Sequence, residues 1–372
     1  MRFYSKALFI FSLVTVLFNS CKNELKILAP YKETISVYGI LNPFDSRQYI
    51  RINKVFLGEG NAYTMATISD SVNYKAGVLQ VSLTHFDYNG TQVPTTVGNP
   101  TKMEIFLSDT IVQLQPGAFN QNQRLWFTDD KIYANGEYRL KIKNTITGKE
   151  FTSKTTMVDT IIRPGEIQPI GSPYYPVAYS PSNPPYYYLD LTVTNIKRKI
   201  KFYSVKNARD YSCIMRFHYV DYYNNADSTK RIMDYEFSRL SSLSLDGSEE
   251  IDFYYYSGDY FYFLSSEISK IGPPSGLLVL KRRAEYIEFI VTAAAQDFAD
   301  FIKISAPSTS IAQDKPTYSN INGDAYGIFS SISTFRAPKH LATATVDYMA
   351  TNKPLCDLLF LTSLGVPGSV CN

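Results

Sequence analysis

The chain has 372 residues, with 37 Lys and Arg against 34 Asp and Glu and a formal net charge of +3 at pH 7. So small an imbalance excludes capture of nucleic acid, or of an acidic surface, by bulk charge. Thirty Tyr and 23 Phe beside one Trp describe a strand-rich chain with enough apolar mass for two domains.

The first elements form a leader. Arg2 and Lys6 precede an apolar core from Ala7 to Phe18, and Ser20 stands directly before Cys21. That is the layout of a secretory signal, and its core is too short to span a bilayer as a helix. A cysteine at the cleavage point resembles the bacterial lipobox, in which the thiol receives a diacylglycerol. Residues 1–20 are then the signal peptide, Cys21 the lipid-attachment residue, and 21–32 a lipidated tether. An ordinary signal cut nearby, leaving a plain thiol, is the alternative. Two or three acyl chains anchor a protein stably where one is marginal.

From Thr34 the periodicity is that of strands. Thr34–Leu41 and Gln48–Phe56 flank the turn Asn42-Pro43-Phe44-Asp45, and Ile50 and Ile52 alternate with Arg51 and Asn53. Gly77–Phe86, Lys102–Leu107 and Arg124–Thr128 follow, and then a hairpin turning at Thr147-Gly148. Several short strands without a helical period predict an immunoglobulin- or fibronectin-like β-sandwich over residues 33–160.

Residues 161–186 are a boundary rich in proline and tyrosine, which cannot make a regular ladder. Tyr174, Tyr175, Tyr179 and Tyr186 read either as an aromatic platform for a glycan or peptide, or as packing that pins a linker. Residues 187–372 read as a second β-rich domain with two short helices. Tyr187–Tyr203 alternates as a strand, with Lys197, Lys199 and Lys201 on one face and Ile196, Arg198 and Ile200 on the other. The three lysines read as a solvated face or an anion-binding patch. A hairpin turns at Asn224–Asp227. From Asp259, read as an N-cap, Tyr260, Phe263, Leu264 and Ile268 fall at helical spacing up to Gly272-Pro273-Pro274. A strand and a second helix, with Phe298, Phe301 and Ile302 on one face, come next.

Pro316–Ser333 reads PTYSNINGDAYGIFSSIS, and the early segment from Val37 reads VYGILNPFDSRQYIRINKVFLGEGNA. Tyr318-Ser319-Asn320-Ile321 and Gly327-Ile328-Phe329 resemble the C-terminal segment of the Bacteroidota lipoproteins grouped as domain-of-unknown-function family 4249. The resemblance implies a lipid-anchored outer-membrane protein, on the periplasmic face or the cell surface, often encoded beside TonB-dependent transporters. It supplies no catalytic residues.

With Cys21 acylated, Cys213, Cys356 and Cys371 remain. Cys356 and Cys371 flank a short loop and are the expected disulfide in an oxidising compartment, while Cys213 reads as a buried thiol. His85, His218 and His340 show no zinc-site spacing, and neither a P-loop nor a dinucleotide fingerprint occurs. No cofactor, no metal and no catalytic residue is expected. Glu249, Glu250, Asp252 and Asp259 leave a glycosidase pair open, and Asn320, Asn322 and Asp324 a weak calcium site. The sequence therefore predicts a non-enzymatic binding or accessory lipoprotein partnered by the membrane and a TonB-dependent barrel. A surface adhesin or structural envelope protein is the alternative, and a glycan-active enzyme a weaker one.

Overall fold

The computed structural model describes residues 33–55, 67–113, 122–161, 168–170, 188–306, 317–368 and 371. Cys21 and the tyrosines Tyr174, Tyr175, Tyr179 and Tyr186 lie outside them. The described chain is mainly β. In the first half its strands are β1 (Ile35–Leu41), β2 (Gln48–Lys54), β3 (Leu79–Phe86), β4 (Gln92–Val93), β5 (Glu104–Phe106), β6 (Ser108–Gln113), β7 (Asn122–Thr128), β8 (Glu137–Asn144) and β9 (Glu150–Thr156). One turn of helix, α1 (Ser69–Val72), lies among them.

The second half begins with β10 (Gln168–Ile170), β11 (Tyr188–Leu189) and β12 (Lys197–Tyr203). A long hairpin follows, β13 (Asp210–Tyr223) and β14 (Ser228–Glu236), then β15 (Leu240–Ser241), β16 (Glu250–Tyr256) and helix α2 (Ser257–Lys270). β17 (Val279–Ala294), α3 (Gln296–Ser305), β18 (Ala325–Leu341) and α4 (Thr343–Thr351) complete the order. α2 and α3 occupy the two segments of helical spacing; α4, a third helix of the second half, and the short α1 were not signalled by the sequence pattern. Asp259 sits in the first turn of α2, where its charge suits the helix N-terminus, and Tyr256 takes the N-cap position.

Alternation folds the first half into a sandwich. β4-β3-β8-β9, with β5 beside β3, form one sheet, and β1, β2, β7 and β6 form the other. Val37, Ile50, Ile52 and Trp126 from one face meet Val81, Leu83, Tyr138, Leu140, Ile142 and Phe151 from the opposing one. The chain changes sheet at Leu107, whose N–H still donates to Val81 at 2.9 Å before β6 begins on the other side.

This core is closed by chain from far downstream. β18 runs parallel to β1, with Val37 opposite Gly327 and Gly39 opposite Phe329. Ile321, Ala325 and Phe329 join the first core, although their position in sequence groups them with the second half. Asn320 and Asn322 dock on β9 through Ser153 Oγ–Asn320 O at 2.7 Å and Asn322 N–Thr152 O at 2.7 Å. The remainder of β18 pairs with β17, so one strand passes from the first core into the second and a ten-stranded sheet spans both.

The second core lies between β13–β17 and a small sheet, β10-β12-β16, with α2 and α4 at its side. Phe202, Phe253, Phe217, Phe289, Tyr260 and Leu264 fill it. Tyr187–Tyr203 is not one strand. Leu189 and Leu191 are buried, but a turn at 194–196 interrupts the run, and Ile196 is exposed. The alternation holds from Lys197 onward. Arg198 points inward with Ile200, is 3% exposed, and donates from Nε to Ser257 Oγ at 2.9 Å. Its Nη2 also lies 3.4 Å from the Val193 carbonyl, and such hydrogen bonds offset part of the cost of burying the charge.

Cys356 and Cys371 are joined as a disulfide with Cα atoms 5.5 Å apart. Cys213 is free and buried, and burial pushes its thiol well above the ordinary value. No helix among the described residues is long and apolar enough to cross a membrane.

Candidate functional site

A cleft of about 290 Å³ opens at one end of the sandwich, beside the Tyr88 turn that reaches the second half. It is lined by His85, Asp87, Tyr88, Val93, Pro94, Tyr133, Asn135 and Gly136. Register explains the grouping. β3 carries His85 opposite Tyr138 of β8 and opposite Val93 of β4, so the end of one strand gathers three loops around a single ring.

His85 is 4% exposed and sits between Tyr138, 4.6 Å away, and Tyr133, 5.1 Å away, both rings nearly parallel to it. Its Nδ1 lies 3.0 Å from the Pro94 carbonyl and its Nε2 2.8 Å from the Asn135 carbonyl. Both nitrogens are thus directed at the backbone of the cleft's rims, and neither is aimed at the space between them. The ring is a strut rather than a base. Tyr138 reinforces it: its hydroxyl donates to Thr95 O at 2.7 Å and accepts the Tyr133 N–H at 3.0 Å. Burial pushes the Tyr138 phenol well above its usual value, so it stays protonated.

Gly136 lets the loop close. With φ at +77° it occupies the left-handed region, and a Cβ there would meet the Phe86 carbonyl at 2.4 Å and His85 Nε2 at 2.5 Å. Across the cleft, Asp87 Oδ1 accepts the N–H groups of Asn89 at 2.9 Å and Thr91 at 2.8 Å, which fixes the β3–β4 turn. That turn presents Tyr88, half exposed, to the second half. Asn207 Nδ2 donates to the Tyr88 hydroxyl at 3.1 Å and to Met157 O at 2.9 Å, while the Lys206 ammonium lies 4.4 Å from the Tyr88 ring centre.

The cleft therefore offers two tyrosine faces, the Asn135 side chain at its rim, the outer oxygen of Asp87 and a nearby lysine. Such a surface can stack a flat apolar face and hydrogen-bond hydroxyl or amide groups. It supplies neither a poised nucleophile nor a directed base.

Several of the other charged groups have local partners. Lys197, Lys199 and Lys201 do line one face of β12, but Lys199 Nζ lies 3.0 Å from Asp252 Oδ2 and Lys201 pairs with Glu250. The Asp252 hydrogen bond holds the Lys199 ammonium above its usual value. Lys197 stacks 4.1 Å from the Tyr254 ring centre. The run is a neutralised, solvated ladder. Glu249 accepts Ser242 Oγ and the N–H groups of Leu243 and Ser244, which organises a turn. Cys356, Asp357 and Cys371 form the one group among the described residues with three potential metal-ligand atoms close together. Both sulfurs are committed to the disulfide and carry no thiolate charge.

Sequence reasoning singled out His85 only as a histidine without zinc spacing, and did not single out Asp87, Tyr88, Tyr133 or Asn135. Asp87-Tyr88-Asn89-Gly90 is a legible turn signal. Its apposition to residues 133–136 depends on the β3–β8 register, which local pattern does not encode. No protein-family model matches the chain, and no curated protein is significantly similar to it.

Proposed function

We propose that the chain is a lipoprotein anchored through Cys21 in the outer membrane, which binds a ligand without transforming it and serves as an accessory to a TonB-dependent barrel. The observation that carries the binding part of this reading is the His85 cleft. Its walls are aromatic, its geometry is held by His85, Tyr138, Asp87 and Gly136, and its titratable groups are largely spent on that scaffold. A preformed cleft binds without first ordering loops, which saves the entropy that ordering would cost. The anchor rests on the signal layout ending at Cys21. The Cys356–Cys371 disulfide fits an envelope compartment, where thiols are not kept reduced. The barrel partner rests on the resemblance carried by Tyr318–Ile321 and Gly327–Phe329.

The test is a gentle-detergent pull-down of the tagged protein from its native membrane, followed by mass spectrometry of intact chain and partners. A diacylglyceryl mass on Cys21 and stoichiometric recovery of a TonB-dependent barrel support the reading. An unmodified Cys21 removes the anchor, and recovery of the lipoprotein alone removes a stable barrel complex.

A further inference from the structure

The ten-stranded sheet ends on β14, which pairs with β13 on one side; among the described residues no strand pairs with its other edge. Two backbone bonds fix which groups face that edge. The Tyr223 N–H donates to Asp227 O and the Phe237 N–H to Cys213 O, both at 3.0 Å. In an antiparallel ladder the direction alternates, so Thr229, Arg231, Met233 and Tyr235 turn their N–H and C=O toward β13. Ser228, Lys230, Ile232, Asp234 and Glu236 turn theirs to the open edge.

An open edge of this length is a pairing template unless charge guards it. Here the charges are arranged about an apolar centre. Ile232 is 52% exposed, with Lys230 two residues before it and, two residues after, Asp234, which also receives Arg216 Nε and Nη2 at 2.7 Å each. On the opposite face Met233 and Tyr235 are only partly buried, and Phe263 of α2 packs 5.1 Å from Tyr235.

We propose that β14 is a dimerisation edge, on which a second copy of this chain pairs antiparallel about a two-fold axis through Ile232. In that register Ile232 faces the partner's Ile232, Lys230 faces the partner's Asp234, and Ser228 faces the partner's Glu236. All five edge-facing residues exchange backbone hydrogen bonds with their counterparts. A slip to the next register that still pairs edge-facing groups puts Arg231 opposite the partner's Arg231 in one direction, and Ile232 opposite the partner's Asp234 in the other. Like charges directly opposite, and an apolar side chain opposite a carboxylate, are both unfavourable, so the register through Ile232 is preferred. On the inner face Met233 meets the partner's Arg231, whose alkyl stem covers it, and Tyr235 meets the partner's Thr229. The dimer is isologous and closed, and it extends one sheet across two molecules. It does not depend on the ligand cleft or on a barrel partner.

The experiment uses the full-length protein purified from its membrane in gentle detergent. Oxidation of Ile232→Cys gives a disulfide-linked homodimer, and co-expressed Lys230→Cys and Asp234→Cys chains give a mixed dimer. Leu280→Cys, exposed on β17 away from this edge, gives neither. Lys230→Asp places like charges opposite each other at two symmetry-related rungs and weakens the dimer about tenfold in light scattering. Ile232→Pro, which removes an edge-facing N–H and leaves the β13 ladder intact, abolishes the dimer while Trp126 fluorescence stays native. A monomeric mass at all concentrations, cross-linking of Ile232→Cys no faster than Leu280→Cys, or a dimer indifferent to Lys230→Asp and Ile232→Pro overturns the proposal.

Discussion

Val37 and Gly327 face each other in a parallel pair that joins the start of the described chain to a strand near its end. Gly327 has φ at +115°, and a Cβ there would lie on the Val37 carbonyl oxygen. This contact allows β18 to enter the sandwich before it continues into the second core. The Gly327→Val variant clashes with backbone that cannot yield, in a conformation that side chains avoid, and should cost about 3 kcal/mol or more. Urea unfolding followed by Trp126, which lies in the first core, measures it.

The same strand makes the first half dependent on the second. A fragment ending at residue 161 lacks Ile321, Ala325 and Phe329, and leaves β1 as an unpaired edge. It should not fold, and its Trp126 emission should be that of a solvated indole. Native-like emission from that fragment would show that the β18 contribution is dispensable.

Lys339 is 6% exposed on β18, and burial pushes its amine down to about 8. Between pH 8 and the unfolded value of 10.5 the unfolded chain binds more protons here than the folded one, so stability rises with pH across that window. The full effect is about 3 kcal/mol. Wild type should gain on Lys339→Met in urea midpoint between pH 7.5 and 9.5. The range stops below 10 because tyrosines such as Tyr211, pushed up to about 12 by burial, act with the opposite sign above it.

Asp221 is 1% exposed and receives Arg282 Nε at 2.8 Å and Arg231 Nε at 3.2 Å, while Arg282 also donates to Leu358 O at 2.7 Å. Removing the carboxylate strands a buried guanidinium. Asp221→Ala should cost about 3–5 kcal/mol, and the double variant Asp221→Leu with Arg282→Met less than the two single effects combined. A double-mutant cycle by chemical denaturation checks both.

The disulfide closes a loop with a sequence separation of 15. Replacing Cys356 and Cys371 by serine should cost about 3 kcal/mol on the chain-entropy account. The loss should appear first as faster amide exchange around Phe360, which packs on Phe217 at 5.9 Å and hangs from this loop.

The parts of the fold legible in sequence are those whose pattern is local. β1, β2, β8 and β9 alternate cleanly because one face of each is core, and α2 and α3 show a helical period. The extent of β18 was hidden, since Gly327 and Pro338 both look like breakers. Gly327 is demanded by the approach of Val37, and Pro338 lies where β18 has β17 on one side and no named strand partner on the other. α4 was hidden because TATVDYMAT is rich in β-branched residues and lacks a side-chain cap. It is held instead by Thr345 Oγ, which accepts the Leu191 N–H at 2.8 Å. The cleft was hidden for a similar reason. His85 and Tyr133 come together only through long-range register, and Tyr88 meets Asn207 only across the junction of the two cores.

The most direct test of ligand binding at the cleft is native mass spectrometry of the protein taken gently from its own membrane, wild type beside Tyr88→Ala and Tyr133→Ala. The account predicts a non-covalent mass on the wild-type chain that both variants lose while Trp126 fluorescence stays native. The same bare mass for all three chains, or an adduct that both variants retain, would contradict it.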